Sequence, residues 1–511
     1  MRTLPADPLQ TPPAPATGHH RAAQSARGSL SATIASFRGQ GAAGKLLWVF
    51  IAAGIALRIV AGVSWWPAVT TLNDSVSYAF YAAHNPLADP NHPAGYMFIL
   101  EFLGLFSRQL AFTITVQHLL GVLSALLLFA AVKRLVGSPW PALAGAGAIL
   151  LGSDQIFLEH NIMSEGSFVL FMAATLYAGV RAIEQPRPWY LWPLATGALG
   201  AFDTMIRSAG LFLIPVLAVA LLIGGPRPRL LRWRACAGLL GTALVLLLGY
   251  AAANDISNGR FEIGPATGWH LYSRVARFAN CSDFTPPAGT RGLCETTPYS
   301  QRPGGDYYIH TAESPAFRLF GYTGSHDDKL KAFALDVILH QPRAYLRTVL
   351  HEVEYYYVPS LTPAVPYGGG GLSPELDWSR LAPHQPFKHG MESFFAGFSI
   401  HQPHGGQVFL QKYEQTFRFG GTLLSITTLL TLIGLFVGPR RNRLAVFVLG
   451  GGGLAMLIGP MFGTYYEGRY SMPVAGPMIA AGAITILTLA QMERARRRLA
   501  VREPGQPAPS L

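Results

Sequence analysis

Acidic and basic side chains recur at or near the ends of apolar segments that we place on one side of a membrane. An ionisable group is costly inside hydrocarbon, so residues at such positions are candidates for function. A carboxylate can take a proton from a hydroxyl group, and an arginine can bind a phosphate. We predict that these side chains surround one cavity between helices. They are Asp74, Glu101, Asp154, Glu159, His160, Glu165, Asp203, Arg207, Glu467 and Arg469.

Several of these residues also have a structural interpretation. Asp74 lies in NDSVSYAFYAA, a pattern typical of a helix start, where a carboxylate can cap the helix. Asp203 and Arg207 are four residues apart and can pair with each other on one helix. These alternatives stay open at the level of sequence.

Other candidates have equally ordinary roles. Glu159 and His160 can be solvated loop residues, and Arg469 with Tyr470 can anchor a helix end at the lipid head groups. Arg58, inside the first apolar segment, can reach the interface or meet an acid.

The elements that position these residues are membrane helices. Half of the 511 residues are apolar and 13% are charged, against roughly 25% in soluble domains. Apolar stretches near the ~20 residues needed to cross a bilayer recur along the chain, and neither a single anchor nor a cleaved signal peptide explains them. We predict an all-α polytopic protein with about ten spans. They are 46–66, 112–135, 139–154, 166–184, 189–205, 208–224, 235–254, 419–438, 443–462 and 470–490.

The distribution of Lys and Arg predicts the orientation, because positively charged loops stay in the cytoplasm. With both termini inside, the inner loops contain Lys133, Arg134, Arg181, Arg187, Arg227, Arg229, Arg232, Arg234, Arg440, Arg441 and Arg443. The candidate residues then lie on the extracytoplasmic side of the inner or plasma membrane, which faces the cell envelope. The net charge of +12 reflects this topology and does not indicate nucleic-acid binding.

Three further regions complete the predicted organisation. Residues 1–44 and 493–511 are cytoplasmic tails, of which the first is disordered. The outer loop 67–111 contains short interfacial helices broken by prolines. Residues 255–418, between the seventh and eighth spans, form an extracytoplasmic domain of mixed or mainly helical structure, in which Pro342 separates two helices and Gly/Pro-rich 359–406 is a loop.

Cysteine usage agrees with this organisation. Cys281 and Cys294 lie in the outer domain, where an oxidising compartment lets a disulfide persist, and we predict that they are bonded. Cys236 begins a span and is expected to be a packing residue.

Several motifs are missing. The chain contains no Walker A loop, no His-Glu-x-x-His and no Gly-x-Ser-x-Gly, so nucleotide, zinc-dependent or serine hydrolysis has no support. A reaction on the outer face needs a substrate that arrives already activated, such as a lipid carrier. The alternatives are a transporter or lipid flippase, and a non-catalytic protein of envelope polysaccharide assembly whose outer domain is the active part.

The motifs together resemble the integral-membrane glycosyltransferases of the GT-C fold, above all the protein O-mannosyltransferases and the bacterial aminoarabinose transferases. An acid follows the first span, and the later motifs are HPAGY, LEHNIMSEGSFVLFMAATLY, MIRSAGL and EGRYSMPVAGP. The resemblance covers about 46–254 and 419–490 and extends only loosely into the outer domain. It implies transfer of a sugar from a polyprenyl-phosphate donor to a hydroxyl acceptor, a lipid, glycan or protein, with inversion.

The resemblance also implies residue roles. Asp74 corresponds to the catalytic acid of the first outer loop and Glu165 to the second acid, while Arg207 and Arg469 hold the carrier phosphate. Many relatives have two adjacent acids where this chain has NDS, so a single catalytic acid is implied. No cofactor is required, although some relatives use a divalent cation, which here would lie between the two acids. The remaining residues assigned to substrate or phosphate binding are Arg58, His92, Glu159, His160 and Tyr470.

Overall fold

The computed structural model describes residues 41–68, 73–184, 188–224, 228–358, 388–398 and 406–500. The predictions for most of the two tails and of the loop 359–406 fall outside these residues. Within them, all regular secondary structure is helical. All elements of the candidate site lie within residues 50–511, which form one compact unit.

The part of the first half of the chain that the structure describes forms ten α-helices. They are α1 (Gly41–Ser64), α2 (Asn73–Ala83), α3 (Gly95–Gly104), α4 (Leu110–Val136), α5 (Pro139–Leu151), α6 (Ser153–Glu159), α7 (Glu165–Glu184), α8 (Leu191–Ile206), α9 (Leu213–Gly224) and α10 (Arg229–Asn258). Helices α4, α7, α8 and α10 pack side by side in that order.

The second half adds a group of helices, called the outer group after the placement that the sequence predicts, and the C-terminal helices. The outer group is α11 (Thr267–Ala276), α12 (Gly305–His310), α13 (Pro315–Phe320), α14 (Asp327–His340) and α15 (Pro342–Tyr355). Then follow α16 (Lys388–Glu392), α17 (Gln407–Thr416), α18 (Gly421–Phe436), α19 (Arg440–Val446), α20 (Gly452–Ile458) and α21 (Ala475–Ala500).

The structure supports a multi-pass membrane protein but not the count of ten spans. Among the described residues, six helices are long and apolar enough to cross a membrane, and a seventh span results if α5 and α6, bent by 49°, are taken together. Each of the ten predicted segments does contain a helix. However, α8 and α18 have 16 residues each, about 24 Å, which is shorter than the ~30 Å of hydrocarbon.

Local sequence explains where the helices end. Lys133 and Arg134 lie in the last turn of α4, where positive charge is favourable, and Gly137 closes that helix in the left-handed conformation with φ 79°. Pro139 then starts α5 at a position where its missing N–H costs nothing. Pro342 separates α14 from α15, as predicted.

A glycine of HPAGY brings the first outer loop against the site. A Cβ atom on Gly95 would lie 2.5 Å from the backbone carbon of Met205 near the end of α8. Only glycine permits this approach without displacement. The contact places α3 beside Arg207, the residue that follows α8.

The outer helices share a hydrophobic core. Its largest fully buried side chains include Trp269, Tyr272, Tyr308 and Phe333, and Tyr465 from the C-terminal half packs into the same core. Cys281 and Cys294 form a disulfide at the edge of it, with Cα atoms 6.0 Å apart. Cys236 is buried, as expected for a packing residue.

Candidate functional site

Charged side chains from four parts of the chain meet at one end of the helices. Asp74 comes from the first turn of α2, Glu165 from the first turn of α7, and Arg207 from the residue after α8. Arg469 comes from a short 3₁₀ turn, Gly468–Ser471, which precedes α21. Because each acid begins a helix, helix dipoles add to the stabilisation of negative charge.

Asp74 has a cationic partner on each carboxylate oxygen. Arg469 Nη2 lies 2.7 Å from Oδ2, and His92 Nε2 lies 3.5 Å from Oδ1. The side chain is 23% exposed, so a substrate can reach it. Asp74 is the second residue of α2, and its carboxylate contacts these two partners.

Glu165 joins the two arginines. Arg207 Nη1 donates to its Oε1 at 2.5 Å, and Arg469 Nε lies 3.6 Å from the same oxygen. Glu165 is fully buried, whereas Arg207 and Arg469 keep 16% and 10% exposure. Two guanidinium groups thus converge beside one carboxylate at the edge of the bundle.

Two tyrosines complete the surroundings of the arginines. The guanidinium of Arg207 lies over the ring of Tyr470, 4.8 Å from its centroid, which is a favourable cation–π contact. Arg207 Nη1 also donates to Ser164 Oγ at 3.1 Å, and Tyr78 donates to the same hydroxyl oxygen at 3.1 Å. The orientation of Arg207 is therefore held from two sides.

The local charges favour an ionised carboxylate and a charged imidazole. Burial alone would raise the pKa of Asp74, but Arg469 and His92 bring that pKa well below its ordinary value. Burial alone would lower the pKa of His92, but Asp89 and Asp74 raise it to about 10. At neutral pH the site therefore contains an Asp74 carboxylate next to a His92 imidazolium.

Two buried polar atoms at the centre of this cluster lack a hydrogen-bond partner among the described residues. They are Glu165 Oε2 and Arg469 Nε, although the latter lies 3.4 Å from Glu467 Oε1 in an ion pair. Buried polar groups normally make hydrogen bonds to protein or water, so these two atoms can still accept or donate a hydrogen bond to a bound polar ligand.

The outer helices hold the segment that carries Arg469. Thr464 Oγ1 lies 3.1 Å from His270 Nδ1, and the hydroxyl of Tyr465 lies 2.9 Å from His310 Nε2. The next residue, Tyr466, donates its backbone N–H to Glu352 of α15 at 2.7 Å. Three successive residues are thus fixed by the outer helices, a few residues before Arg469.

A second cluster contains Arg58, Glu159 and His160, which the sequence assigned to substrate or phosphate binding. Arg58 Nε and Nη2 lie 2.8 and 2.9 Å from the two Glu159 oxygens. His118 is 3.1 Å from Glu159 and 3.0 Å from His160. Glu159 and His160 are fully buried, so their interpretation as solvated loop residues is wrong.

Three of the other acids lie outside the cluster around Asp74, whereas Glu467 belongs to it, with its Oε1 atom 3.4 Å from Arg469 Nε. Asp154 pairs with Arg418 at 3.0 Å, and Glu101 is exposed. Asp203 is fully buried with no hydrogen bond to either carboxylate oxygen among the described residues. Arg207 pairs with Glu165, so the alternative of an Asp203–Arg207 pair is not what the structure shows. The expectation of one cavity is wrong, because Glu159 and Asp154 pair with Arg58 and Arg418 and not with the residues around Asp74.

Asp89 is the residue that sequence reasoning missed. Its buried carboxylate lies 3.0 Å from His92 Nδ1 and accepts the hydroxyl of Ser77 at 2.9 Å. A signal was available in the spacing Asp-x-x-His, which is typical of an Asp side chain that folds back on the following residues.

A divalent cation would have to displace an existing charge. The guanidinium of Arg469 lies between Asp74 and Glu165, where a bridging ion would bind. Within the described part of the chain, no group of three or more His, Cys, Asp or Glu side chains could hold a metal.

The chain matches known proteins in part of its length. Residues 90–251 match the model of the family described as dolichyl-phosphate-mannose-protein mannosyltransferase. This stretch contains His92, Glu165 and Arg207, whereas Asp74 and Arg469 lie outside it. A comparison with curated proteins found no match.

Solved structures share low sequence identity with the chain. The S. cerevisiae protein O-mannosyltransferase complex bound to its sugar donor has 17% identity and a TM-score of 0.35, over 48% of this chain and 38% of that one. The Archaeoglobus fulgidus oligosaccharyltransferase has 13% identity and a TM-score of 0.45, over 91% and 52%.

The chain covers a larger share of a third solved structure. ArnT from Cupriavidus metallidurans bound to undecaprenyl phosphate has 14% identity and a TM-score of 0.36, over 92% of this chain and 84% of that one. The chain thus spans about half or less of the length of the first two. The family match over residues 90–251 confirms the resemblance to the GT-C glycosyltransferases that the sequence motifs indicated.

Proposed function

We propose that this protein transfers a sugar from a polyprenyl-phosphate donor to a hydroxyl group of an acceptor at the outer face of the membrane. The observation that carries the proposal is the arrangement of Asp74 beside Arg469, with Arg207 held next to Arg469 by Glu165. It combines a proton acceptor with two phosphate-binding groups at one end of the membrane helices.

Asp74 is the proposed base. In this reaction the acceptor oxygen forms a bond to the anomeric carbon, the bond from that carbon to the phosphate oxygen breaks, and the acceptor proton passes to the Asp74 carboxylate. The low pKa of Asp74 keeps it ionised and ready to accept a hydrogen bond from the hydroxyl group. Attack opposite the phosphate inverts the anomeric centre.

Arg207 and Arg469 are proposed to bind the donor phosphate. The prenyl phosphate leaves as a stable anion, so it needs charge stabilisation and no proton donor. Guanidinium groups can bind its oxygens through two parallel hydrogen bonds. Arg469 Nε makes no hydrogen bond among the described residues and lies 3.4 Å from Glu467 Oε1, and it can supply one of them.

Glu165 has a supporting role in this proposal. It keeps the two positive groups together when the site is empty, because like charges would otherwise separate. Its Oε2 atom, also without a hydrogen-bond partner in the described structure, can accept a hydroxyl group of the sugar or the acceptor. The ring of Tyr470 packs against the Arg207 guanidinium and fixes its plane.

The test uses purified full-length protein and a panel of prenyl-phosphate sugars. We expect wild type to release prenyl phosphate from at least one donor in the presence of an acceptor. Asp74→Asn should lower that turnover by about 100-fold or more, the usual contribution of a positioned base. The matched control is Asp203→Asn, the same change at a buried carboxylate with no partner in the described structure, which should keep near-normal turnover.

Two results would contradict the proposal. The first is no release of prenyl phosphate from any donor, together with no thermal stabilisation of the protein by any of them. The second is an Asp74→Asn protein that elutes and melts like wild type and also turns over like it.

A further inference from the structure

Asp89 makes an unusually complete set of contacts for a loop residue. Its Oδ1 atom accepts the backbone N–H groups of Asn91 at 2.7 Å and His92 at 3.2 Å. Its Oδ2 atom accepts the hydroxyl of Ser77 at 2.9 Å and lies 3.0 Å from His92 Nδ1. The side chain is fully buried, so these contacts replace the water that a carboxylate otherwise needs.

These contacts connect the loop to the helix that carries Asp74. Asp74, Ser77 and Tyr78 occupy positions i, i+3 and i+4 of α2 and so lie on one face of it. Asp89 binds Ser77, and the His92 ring packs 4.6 Å from the Tyr78 ring. His92 is therefore fixed by a carboxylate at one ring nitrogen and by an aromatic ring at its face.

The ring orientation determines what His92 offers to Asp74. A carboxylate only accepts, so His92 Nδ1 must donate to Asp89. The opposite nitrogen, Nε2, then points to Asp74 Oδ1 at 3.5 Å, while Arg469 holds Oδ2. With a partner on each oxygen, the Asp74 carboxylate has a defined plane.

We propose that Asp89 is a positioning residue that orients His92 and, through His92, the carboxylate of Asp74. This inference rests on the proposed function, since it concerns the same transfer reaction. A misplacement of about 1 Å at a reacting group can cost roughly 100-fold in rate, so an orienting carboxylate affects turnover without touching the substrate.

A purely structural role for Asp89 makes a different prediction. If its contacts to the two backbone N–H groups only kept the loop folded, loss of Asp89 would act independently of His92. Independent effects multiply in rate, whereas effects transmitted through one residue do not. A double-mutant cycle therefore separates the two roles.

The experiment compares four full-length variants by release of prenyl phosphate. Asp89→Asn keeps an oxygen for the backbone N–H groups and replaces the acceptor at His92 by an NH₂ group. We expect it to lower kcat by about 10- to 100-fold with little change in the KM for the donor. His92→Ala should have a similar effect, and the double variant should be no slower than His92→Ala alone. Ser77→Ala removes a contact to the same Asp89 oxygen but leaves His92 in place, and should lose far less.

Folding is checked by gel filtration and thermal melting in detergent. If Asp89→Asn does not fold, Asp89→Ser replaces it, because serine can also accept the loop N–H groups but is too short to reach His92. The same kinetic comparison then applies.

The outcomes distinguish this inference from the proposed function. Losses that multiply in the double variant, or normal turnover in a folded Asp89→Asn protein, overturn the positioning role and leave the transfer reaction standing. If wild type consumes none of the donors, the proposed function fails and the positioning role fails with it.

Discussion

The pair formed by Arg58 and Glu159 offers the sharpest test of which charged residues bind substrate and which only stabilise the fold. The sequence assigned both to substrate binding, whereas the structure joins them by two short contacts, with Arg58 4% and Glu159 0% exposed. Arg58 Nη1 and Nη2 also donate to the carbonyl oxygens of Leu150 and Ile149 at 2.9 and 3.5 Å. These carbonyls belong to the last turn of α5, where a helix has no internal partners for them.

The expected loss in the free energy of unfolding follows from these contacts. Arg58→Met removes the positive partner of a buried carboxylate and leaves the two α5 carbonyls unpaired. Breaking a buried ion pair from one side costs about 3–5 kcal/mol. Glu159 keeps Gln155 at 2.7 Å and His118 at 3.1 Å, so we expect the lower part of this range.

The assay is reversible unfolding in mixed detergent micelles, together with turnover per folded molecule. Glu159→Gln should also destabilise the protein, because it leaves the charge of Arg58 unpaired. The double variant Arg58→Met with Glu159→Gln should recover part of the lost free energy of unfolding, since neither buried charge then remains. The folded fraction of every variant should keep its turnover.

One result would refute this reasoning. If Arg58→Met melts like wild type but has a much higher KM for the donor, Arg58 contacts substrate, as the sequence suggested, and the second cluster is part of the active site.

Three other predictions concern the site and the outer helices. Arg469→Lys keeps the charge but cannot bridge both carboxylates, so we expect about a 10- to 100-fold lower kcat/KM for the donor, measured at fixed acceptor concentration; an unchanged value would remove Arg469 from phosphate binding. The pH profile of kcat should be flat between pH 7 and 9 and fall near pH 10, because the raised pKa of His92 means that its positive charge is lost only as the pH passes about 10; a steep fall near pH 7 would contradict this assignment. Replacing Cys281 and Cys294 by Ser removes a disulfide between residues 13 apart in sequence and should cost about 3 kcal/mol in the outer helices, measured by proteolysis of this region in native protein; unaltered protection would show that the disulfide adds no stability there.

Much of the fold followed from hydrophobic pattern. Apolar stretches predict helices because burial in lipid leaves no other way to satisfy the backbone, and each predicted segment contains a helix. The number of spans could not be predicted from the hydrophobic pattern. Short apolar helices such as α18 are as apolar as the candidate spans, and their length in the structure distinguishes them.

The candidate site was predicted in part. The structure brings together Asp74, Glu165, Arg207, Arg469 and Tyr470, which the sequence had grouped by their position at helix ends and by family resemblance. It also brings His92 to the site, but as a neighbour of Asp74. The spacing of Asp89 to His92 was a local signal, but the contact of Asp89 with Ser77 on α2, twelve residues away, follows no local pattern.

By itself, the sequence determined the helical membrane character, the supply of acids and arginines near helix ends, and the likeness to glycosyltransferases. It could do so because hydropathy and residue type are local properties. Only the tertiary structure decided which acid meets which base. Arg58 pairs with a carboxylate 101 residues away and Arg469 with one almost 400 residues away. Such pairing depends on the rotation and tilt of packed helices, so Arg58 and Glu159 separate from the site while Asp74 and Arg469 form it.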